Sequence, residues 1–236
     1  MDLEKLRVKI YCDSADLGQM REMTAAGLVC GYTSNPSLAK KAGVANYLDF
    51  CREAAAEFPH MPLSLEVLAD EPDGIRRQVR QLASLGTNIF VKIPVVRTTG
   101  ESNAALIREL SQAGIHINVT AIFTHKQIAT VCEALDGGSA GYVSVFAGRI
   151  ADAGQCPLPY VQHAIHETEG TPHQVIWASV REPYNVLQAD AVGCHIITVF
   201  PTFLLKLKLF GKSLDEFSRE TVQMFMGDAA SSGFTL

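Results

Sequence analysis

The sequence predicts an α/β protein built as a single (β/α)8, or TIM, barrel with an extra C-terminal helix, on three observations. Short β-branched runs alternate with amphipathic helical segments along the whole chain, with no low-complexity stretch and no break in composition. Eight such runs in 236 residues give about 30 residues per unit, close to the spacing of eightfold barrels of about 250 residues. No GxGxxG follows the first run, which sets the barrel above a doubly wound open sheet.

The first strand is VKIYCD (Val8 to Asp13), ending on a carboxylate, and a helical segment from Asp16 to Ala26 follows it and stops at Gly27. VCGYTSN (Val29 to Asn35) is the second strand, and Tyr47 to Phe58 its main helix. LSLEV (Leu63 to Val67) leads to a helix over Pro72 to Leu85, closed by Gly86. IFVKI (Ile89 to Ile93) is followed by Ser102 to Ala113 and Gly114. IHINVT (Ile115 to Thr120), YVSVF (Tyr142 to Phe146), VIWAS (Val175 to Ser179) and HIITVF (His195 to Phe200) complete the set, with helices over Lys126 to Leu135 and Leu158 to Glu167 between them. Ser213 to Leu236 reads as an amphipathic helix, SLDEFSRETVQMFM, and a flexible tail. The whole chain, 1–236, is expected to be one domain, large enough for one core.

Composition narrows the partners. A formal net charge of −5 argues against a nucleic-acid footprint, so any anion bound here is small. Six scattered cysteines without a CxxC pair signal no zinc site, and they read as reduced core residues. The chain opens without an apolar signal-peptide core, and its most apolar late stretch is interrupted by Pro201, Lys206 and Lys208. These features predict a cytoplasmic protein that binds no membrane.

A lysine in the middle of a buried strand raises the question of function. In NIFVKIPVV, Ile89, Val91 and Ile93 share one face, so period two puts Lys92 with Phe90 on the other. A buried ammonium requires a compensating partner, or the amine must be neutral. By the same parity Glu66, Asn118, Thr120 and Ser144 oppose apolar neighbours, while Asp13, Asn35 and Ser179 end their strands. Polar groups of a barrel strand converge in the lumen toward the strand C-termini, where barrel active sites form.

One lysine, two carboxylates, two amides and three hydroxyls, with no metal-ligand cluster and no cofactor motif, are an inventory for Schiff-base chemistry. A neutral lysine attacks a ketone, the iminium draws electrons from the adjacent carbon–carbon bond, and a carboxylate moves the proton of the hydroxyl that becomes a carbonyl. Arg149 in FAGRIAD and Arg181 in ASVRE follow strands six and seven, where barrels often bind phosphate. The competing expectation is that these arginines are solvated or paired with Asp152 and Glu182.

YCDSAD, GYTSNPSLAKKAG, LSLEV, FVKIP, INVTAIFT, YVSVFAGRIAD and ASVRE occur in the order and spacing of the transaldolase family of class I aldolases, and the chain resembles that family from strand one through the final helices. The resemblance implies that Lys92 forms a Schiff base with a ketose phosphate, such as sedoheptulose 7-phosphate or fructose 6-phosphate, and that Asp13 is the acid/base at the C4 hydroxyl. It implies that Glu66 with Thr120 handles the water of imine formation and hydrolysis. Asn35, Asn118 and Ser144 would hold substrate hydroxyls, and Arg149, Ser179 and Arg181 the phosphate. No cofactor and no metal are implied, and the resemblance associates the chain with the pentose phosphate pathway while leaving a dedicated pathway open.

The same family contains fructose 6-phosphate aldolases, which release dihydroxyacetone instead of passing it to an aldose phosphate. Those resemble transaldolases but carry glutamine at the position of Glu66 and tyrosine at that of Phe146, so this sequence sides with the transferases. A phenyl ring at Phe146 helps exclude water from the bound intermediate. His195 and Phe200 depart from the family pattern in strand eight. A non-catalytic sugar-phosphate binder is the third alternative. Compact members of the family form rings of five subunits, often stacked as ten, with C-terminal helices reaching a neighbour. A homo-oligomer is therefore expected, although the stripe Leu214, Phe217, Val222 and Phe225 suits packing on its own barrel equally well.

Two weaker signals remain. His163 and His166 lie three apart on a helix and are expected to be solvated side chains, with paired metal ligands as the alternative. Trp177 shares the lumen parity of Ser179 and is expected either to pack in the core or to touch substrate.

Overall fold

A computed structural model describes residues 5–235; Met1 to Glu4 and Leu236, which the single-domain expectation includes, lie outside the described residues. Eight strands, β1 (Lys9–Asp13), β2 (Tyr32–Thr33), β3 (Leu63–Glu66), β4 (Ile89–Pro94), β5 (Ile117–Ile122), β6 (Tyr142–Val145), β7 (Gln174–Trp177) and β8 (Ile196–Val199), pair in parallel in chain order. β8 returns to β1, with Tyr11 opposite Thr198, and the barrel closes. Around it run α1 (Leu17–Ala25), α2 (Pro36–Lys41), α3 (Tyr47–Glu57), α4 (Pro72–Ala83), α5 (Ala104–Gln112), α6 (His125–Leu135), α7 (Ala147–Asp152), α8 (Leu158–Glu167), α9 (Asn185–Ala191), α10 (Pro201–Leu204) and α11 (Leu214–Ser232).

Local chemistry sets the helix starts. Asp16 Oδ1 accepts the Gln19 N–H at 3.1 Å, and Asn35 Oδ1 accepts that of Leu38 at 3.0 Å. Thr124 and Gln127 form a reciprocal capping box at α6. β2 and β5 differ from expectation in where they end. β2 is short: a Cβ on Gly31 would stand 2.6 Å from the Tyr11 ring, and Asn35 has already turned to cap α2. β5 runs two residues further than expected through a bulge between Val119 and Ile122, where Ala121 adopts φ 57°.

The core has two shells. Leu63, Leu65, Ile89, Val91, Ile93, Ile117 and Val119 point out of the barrel and are buried under the helices. Tyr11, Tyr142, Ile176 and Ile196 fill the lower lumen, with Phe90 packed against them. Phe90 stacks on Tyr142 at 3.9 Å between ring centroids, and the Tyr11 and Tyr142 hydroxyls meet at 2.9 Å. Burial pushes both phenols up, that of Tyr142 to about 12, so both remain neutral and the pair shares a proton donor and an acceptor.

Four expectations are corrected. Trp177 packs in the core, one of its two expected roles, but on the outer shell and not on the lumen side of β7, which Ile176 and Ala178 take. The parity inference from Ser179 fails there, since Ser179 adopts φ 64° and breaks the alternation. Not all cysteines are core residues: Cys12, Cys51 and Cys194 are buried and Cys132 half-buried, whereas Cys30 and Cys156 are exposed, and all six are free. The segment after Met226 is helical and not a loose tail, since α11 continues to Ser232 and stops at Gly233 in the left-handed conformation. The stripe on α11 does not pack on its own barrel: Leu214, Phe217, Val222 and Phe225 are all exposed. Among the described residues, no helix is long and apolar enough to cross a membrane.

Candidate active site

Strand register brings the polar residues to one height. Glu66 pairs with Lys92 and Lys92 with Asn118 along three adjacent strands, while Asp13 lies opposite Thr33. Lys92, 6% exposed, donates through Nζ to the Ser34 carbonyl at 2.7 Å, and the same Nζ stands 3.1 Å from Glu66 Oε2. A largely desolvated pair of this kind contributes little net stability, but removing one member strands the other charge. Asp13 sits nearby, its carboxyl held above the usual carboxylate range mainly by burial, with the Lys92 charge and the Thr33 hydroxyl opposing that shift and the Glu66 charge adding to it. Thr33 Oγ1 donates to Asp13 Oδ1 at 2.7 Å.

Asn118 forms the opposite wall. Its Nδ2 donates to Ser64 Oγ at 3.0 Å, and its Oδ1 accepts from Ser144 Oγ at 2.7 Å, which fixes the amide orientation. Thr120 Oγ1 is buried without a hydrogen-bond partner among the described residues, one residue before the strained Ala121. A non-glycine residue in the left-handed region costs roughly 1–3 kcal/mol, and the two among the described residues, Ala121 and Ser179, both stand at strand exits around this cavity.

The rim carries the arginines. Arg149 on α7 lies 5.5 Å over the Phe146 ring, and Arg181 grips Asp152 with Nε at 2.8 and 2.9 Å from the two carboxylate oxygens. Arg181 therefore meets the pairing alternative and also lines the cavity, because Asp152 engages one edge of its guanidinium. Its Nη1 donates to the Ser179 carbonyl at 3.1 Å. Gly148 makes this corner: a Cβ there would lie 1.6 Å from the Ser179 carbonyl oxygen, so only glycine lets α7 approach the exit of β7.

Ten of the eleven expected residues line a single cavity at the strand C-termini: Lys92, Asp13, Asn35, Asn118, Thr120, Ser144, Phe146, Arg149, Ser179 and Arg181. The eleventh, Glu66, reaches Lys92 from the side and opens instead on a groove beside Tyr47 and Leu48. Its carboxylate pairs with Lys92 and not with Thr120. Thr33, Thr198 and Phe200 also line the cavity and were not anticipated. Period two within GYTSN and HIITVF carries the signal for the two threonines, with Thr33 on the same side as the strand-terminal Asn35. His195 lies away from this cavity, where its Nδ1 accepts the Val175 N–H at 3.0 Å. His163 pairs with His125 at 2.9 Å and with Glu167, not with His166, and among the described residues no group of three or more His, Cys, Asp or Glu side chains is placed to hold a metal ion.

The chain that sets a buried lysine between two carboxylates, below two rim arginines, matches a known sequence pattern. That of the Transaldolase/Fructose-6-phosphate aldolase family spans residues 10–235. The chain belongs to this family. It is 37% identical over 194 residues to a probable transaldolase of Thermoanaerobacter sp. (strain X514), covering 81% of this chain and 85% of that protein. To a probable transaldolase of Methanococcus maripaludis (strain C7 / ATCC BAA-1331) it is 33% identical over 223 residues, 94% of this chain and 97% of the relative. Solved barrels share the fold alone. The tryptophan synthase A-subunit of Pyrococcus furiosus superposes with a TM-score of 0.57 at 13% identity, over 94% of this chain and 98% of that one. This is accordingly an enzyme family built on the barrel, and sugar phosphates are its substrate class.

Proposed function

We propose that the protein is a transaldolase that moves a three-carbon dihydroxyacetone unit from a ketose phosphate to an aldose phosphate through a Schiff base on Lys92. The observation that carries this reading is the position of the Lys92 amine, on the cavity wall, 3.1 Å from Glu66 and within the field of Asp13. Glu66 takes the ammonium proton, and the amine adds to the C2 carbonyl. Loss of water from the carbinolamine gives the iminium. Asp13 removes the C4 hydroxyl proton as the C3–C4 bond breaks, and the bond's electron pair passes into the iminium to form an enamine. The aldose phosphate departs, another takes its place, and the same steps run in reverse.

The unpartnered Thr120 hydroxyl suits the water of imine formation, and the Asn118–Ser144 pair suits a substrate hydroxyl. Arg149, Ser179 and Arg181 hold the phosphate, while Asn35, whose Oδ1 caps α2, has its Nδ2 available for a substrate hydroxyl. Transfer is favoured over release by Phe146, which lines the cavity with a ring that packs 5.6 Å from Phe123 and carries no hydroxyl to position water. Phosphorylated sugars of this class are intracellular, which supports a cytoplasmic setting. The exposed apolar residues of α11 support docking on a second copy, in a ring of five or ten subunits.

The test is glyceraldehyde 3-phosphate release from fructose 6-phosphate, with and without erythrose 4-phosphate, on the wild type and on Lys92→Ala. Release that requires the acceptor supports the transferase. Sustained release without it supports the aldolase, and no release from either leaves the non-catalytic binder. Light scattering of the wild type and of Phe217→Asp tests the ring: a single-subunit mass for the wild type would refute it.

A further inference from the structure

Asp13 is held from both of its neighbouring strands. Thr33 on β2 donates to Asp13 Oδ1 at 2.7 Å, and Thr33 Oγ1 lies 2.6 Å from Thr198 Oγ1 on β8. β2 and β8 flank β1 on opposite sides, so the two hydroxyls meet in the lumen across the strand that carries the carboxylate. Both threonines are buried, and both line the substrate cavity.

We propose that Thr198 is a positioning residue that acts on Asp13 through Thr33 and dedicates Asp13 Oδ2 to the substrate proton. The proposal rests on the reading of Asp13 as the base at the C4 hydroxyl. A hydroxyl carries one proton. An ionised Asp13 has none to give, so the Thr33 proton is committed to Oδ1. The short contact between the two threonines then requires Thr198 to be its donor. The chain runs in one direction, from Thr198 to Thr33 to Asp13, and donation by Thr198 strengthens the last bond.

The direction persists through turnover. When Oδ2 takes the C4 hydroxyl proton, Oδ1 remains an acceptor and neither threonine has to rotate. Without Thr198, the Thr33 oxygen loses its donor and its hydroxyl is free to swing into the cavity, so Oδ1 and Oδ2 become equivalent as bases and the ionised carboxylate loses support. The other charged or titratable groups around Asp13 are Lys92 on β4, Glu66 on β3 and the adjacent Cys12, and the substitutions below leave all three in place.

The experiment compares Thr198→Val, Thr198→Ser, Thr33→Val and Asp13→Asn in the full chain. Valine keeps the β-branched shape and removes only the hydroxyl, and thermal melts establish that each variant folds. The readouts are the Asp13 carboxyl titration by carbon NMR, the pH profile of kcat, KM for fructose 6-phosphate and borohydride trapping on Lys92. Thr198→Val is expected to move the Asp13 titration and the acid limb of kcat to higher pH. On that limb kcat falls about tenfold, the scale of one weakened hydrogen bond to a charged group. KM and Lys92 trapping stay unchanged, Thr33→Val moves both curves further, and Thr198→Ser restores them.

An Asp13 titration that stays put in both valine variants would overturn the proposal, as would a serine variant as impaired as valine. Full cleavage by Asp13→Asn would remove the reading of Asp13 itself, and the proposal with it. Loss of Lys92 trapping in Thr198→Val would show a wider structural effect and count against a role confined to Asp13.

Discussion

Two residues along each strand separate two layers of the barrel lumen that obey different rules. The lower layer, Tyr11, Phe90, Tyr142, Ile176 and Ile196, is apolar or aromatic, and its two phenols satisfy each other. The upper layer, Asp13, Thr33, Lys92, Thr120, Ser144 and Thr198, holds a desolvated carboxylate, a buried amine and a hydroxyl with no partner among the described residues. Strand backbones bend into the left-handed region only at exits beside the upper layer, at Ala121 and Ser179. Buried polar groups are worth most when fully satisfied. Stability therefore resides in the lower layer, and unsatisfied bonding capacity is kept in the upper one for a ligand.

The largest effect that tests this division is Lys92→Ala. It is expected to lower turnover by roughly 10⁴-fold or more and to abolish borohydride trapping, while a phosphate ester still binds at the arginines. Isothermal titration and single-turnover assays separate the two. Asp13→Asn follows, with kcat lowered about 10²–10⁴-fold and imine formation retained.

The same Asp13→Asn substitution sharpens the comparison through stability. Burial raises the folded-state pKa of Asp13 above its ordinary 3.8, so between the two values the native protein binds more protons than the unfolded chain, and stability falls as pH rises through that window. Asp13→Asn should therefore raise Tm at pH 7, and the gain should vanish below pH 3.8; an unchanged or lower Tm at pH 7 would place Asp13 among the stabilising residues.

In the lower layer the expectation inverts. Ile176→Ala should cost about 2–5 kcal/mol in denaturant unfolding, with kcat per folded molecule nearly unchanged. A loss of kcat beyond the unfolded fraction would mean that the two layers are mechanically coupled. Tyr142→Phe is the smallest change, about 1 kcal/mol, since it leaves the stack on Phe90 and removes one partner of the Tyr11 hydroxyl.

Much of this division is written in period two. Ile89, Val91 and Ile93 against Phe90 and Lys92 assign both faces of β4 from sequence, and the same alternation assigns Glu66, Asn118, Thr120 and Ser144. Alternation fails at β7, where Ser179 adopts a positive φ that no residue pattern announces for a serine. It also places Thr33 and Thr198 inward, but a threonine in a strand is read first as a β-former, so the residue type does not mark either as part of a site.

Alone, the sequence determined the eight-unit repeat, the inward side of most strands and the residue types available for Schiff-base chemistry, because these follow from periodicity and composition within about 10 residues. Only the tertiary structure decided that Glu66 contacts Lys92 from outside the main cavity, that Arg181 is already braced by Asp152, that Thr198 and Thr33 close over β1, and that α11 leaves its apolar residues exposed. Each of these is a pairing between residues distant in the chain. Their spacing is set by barrel closure and strand register, for which neither partner's local sequence carries a signal.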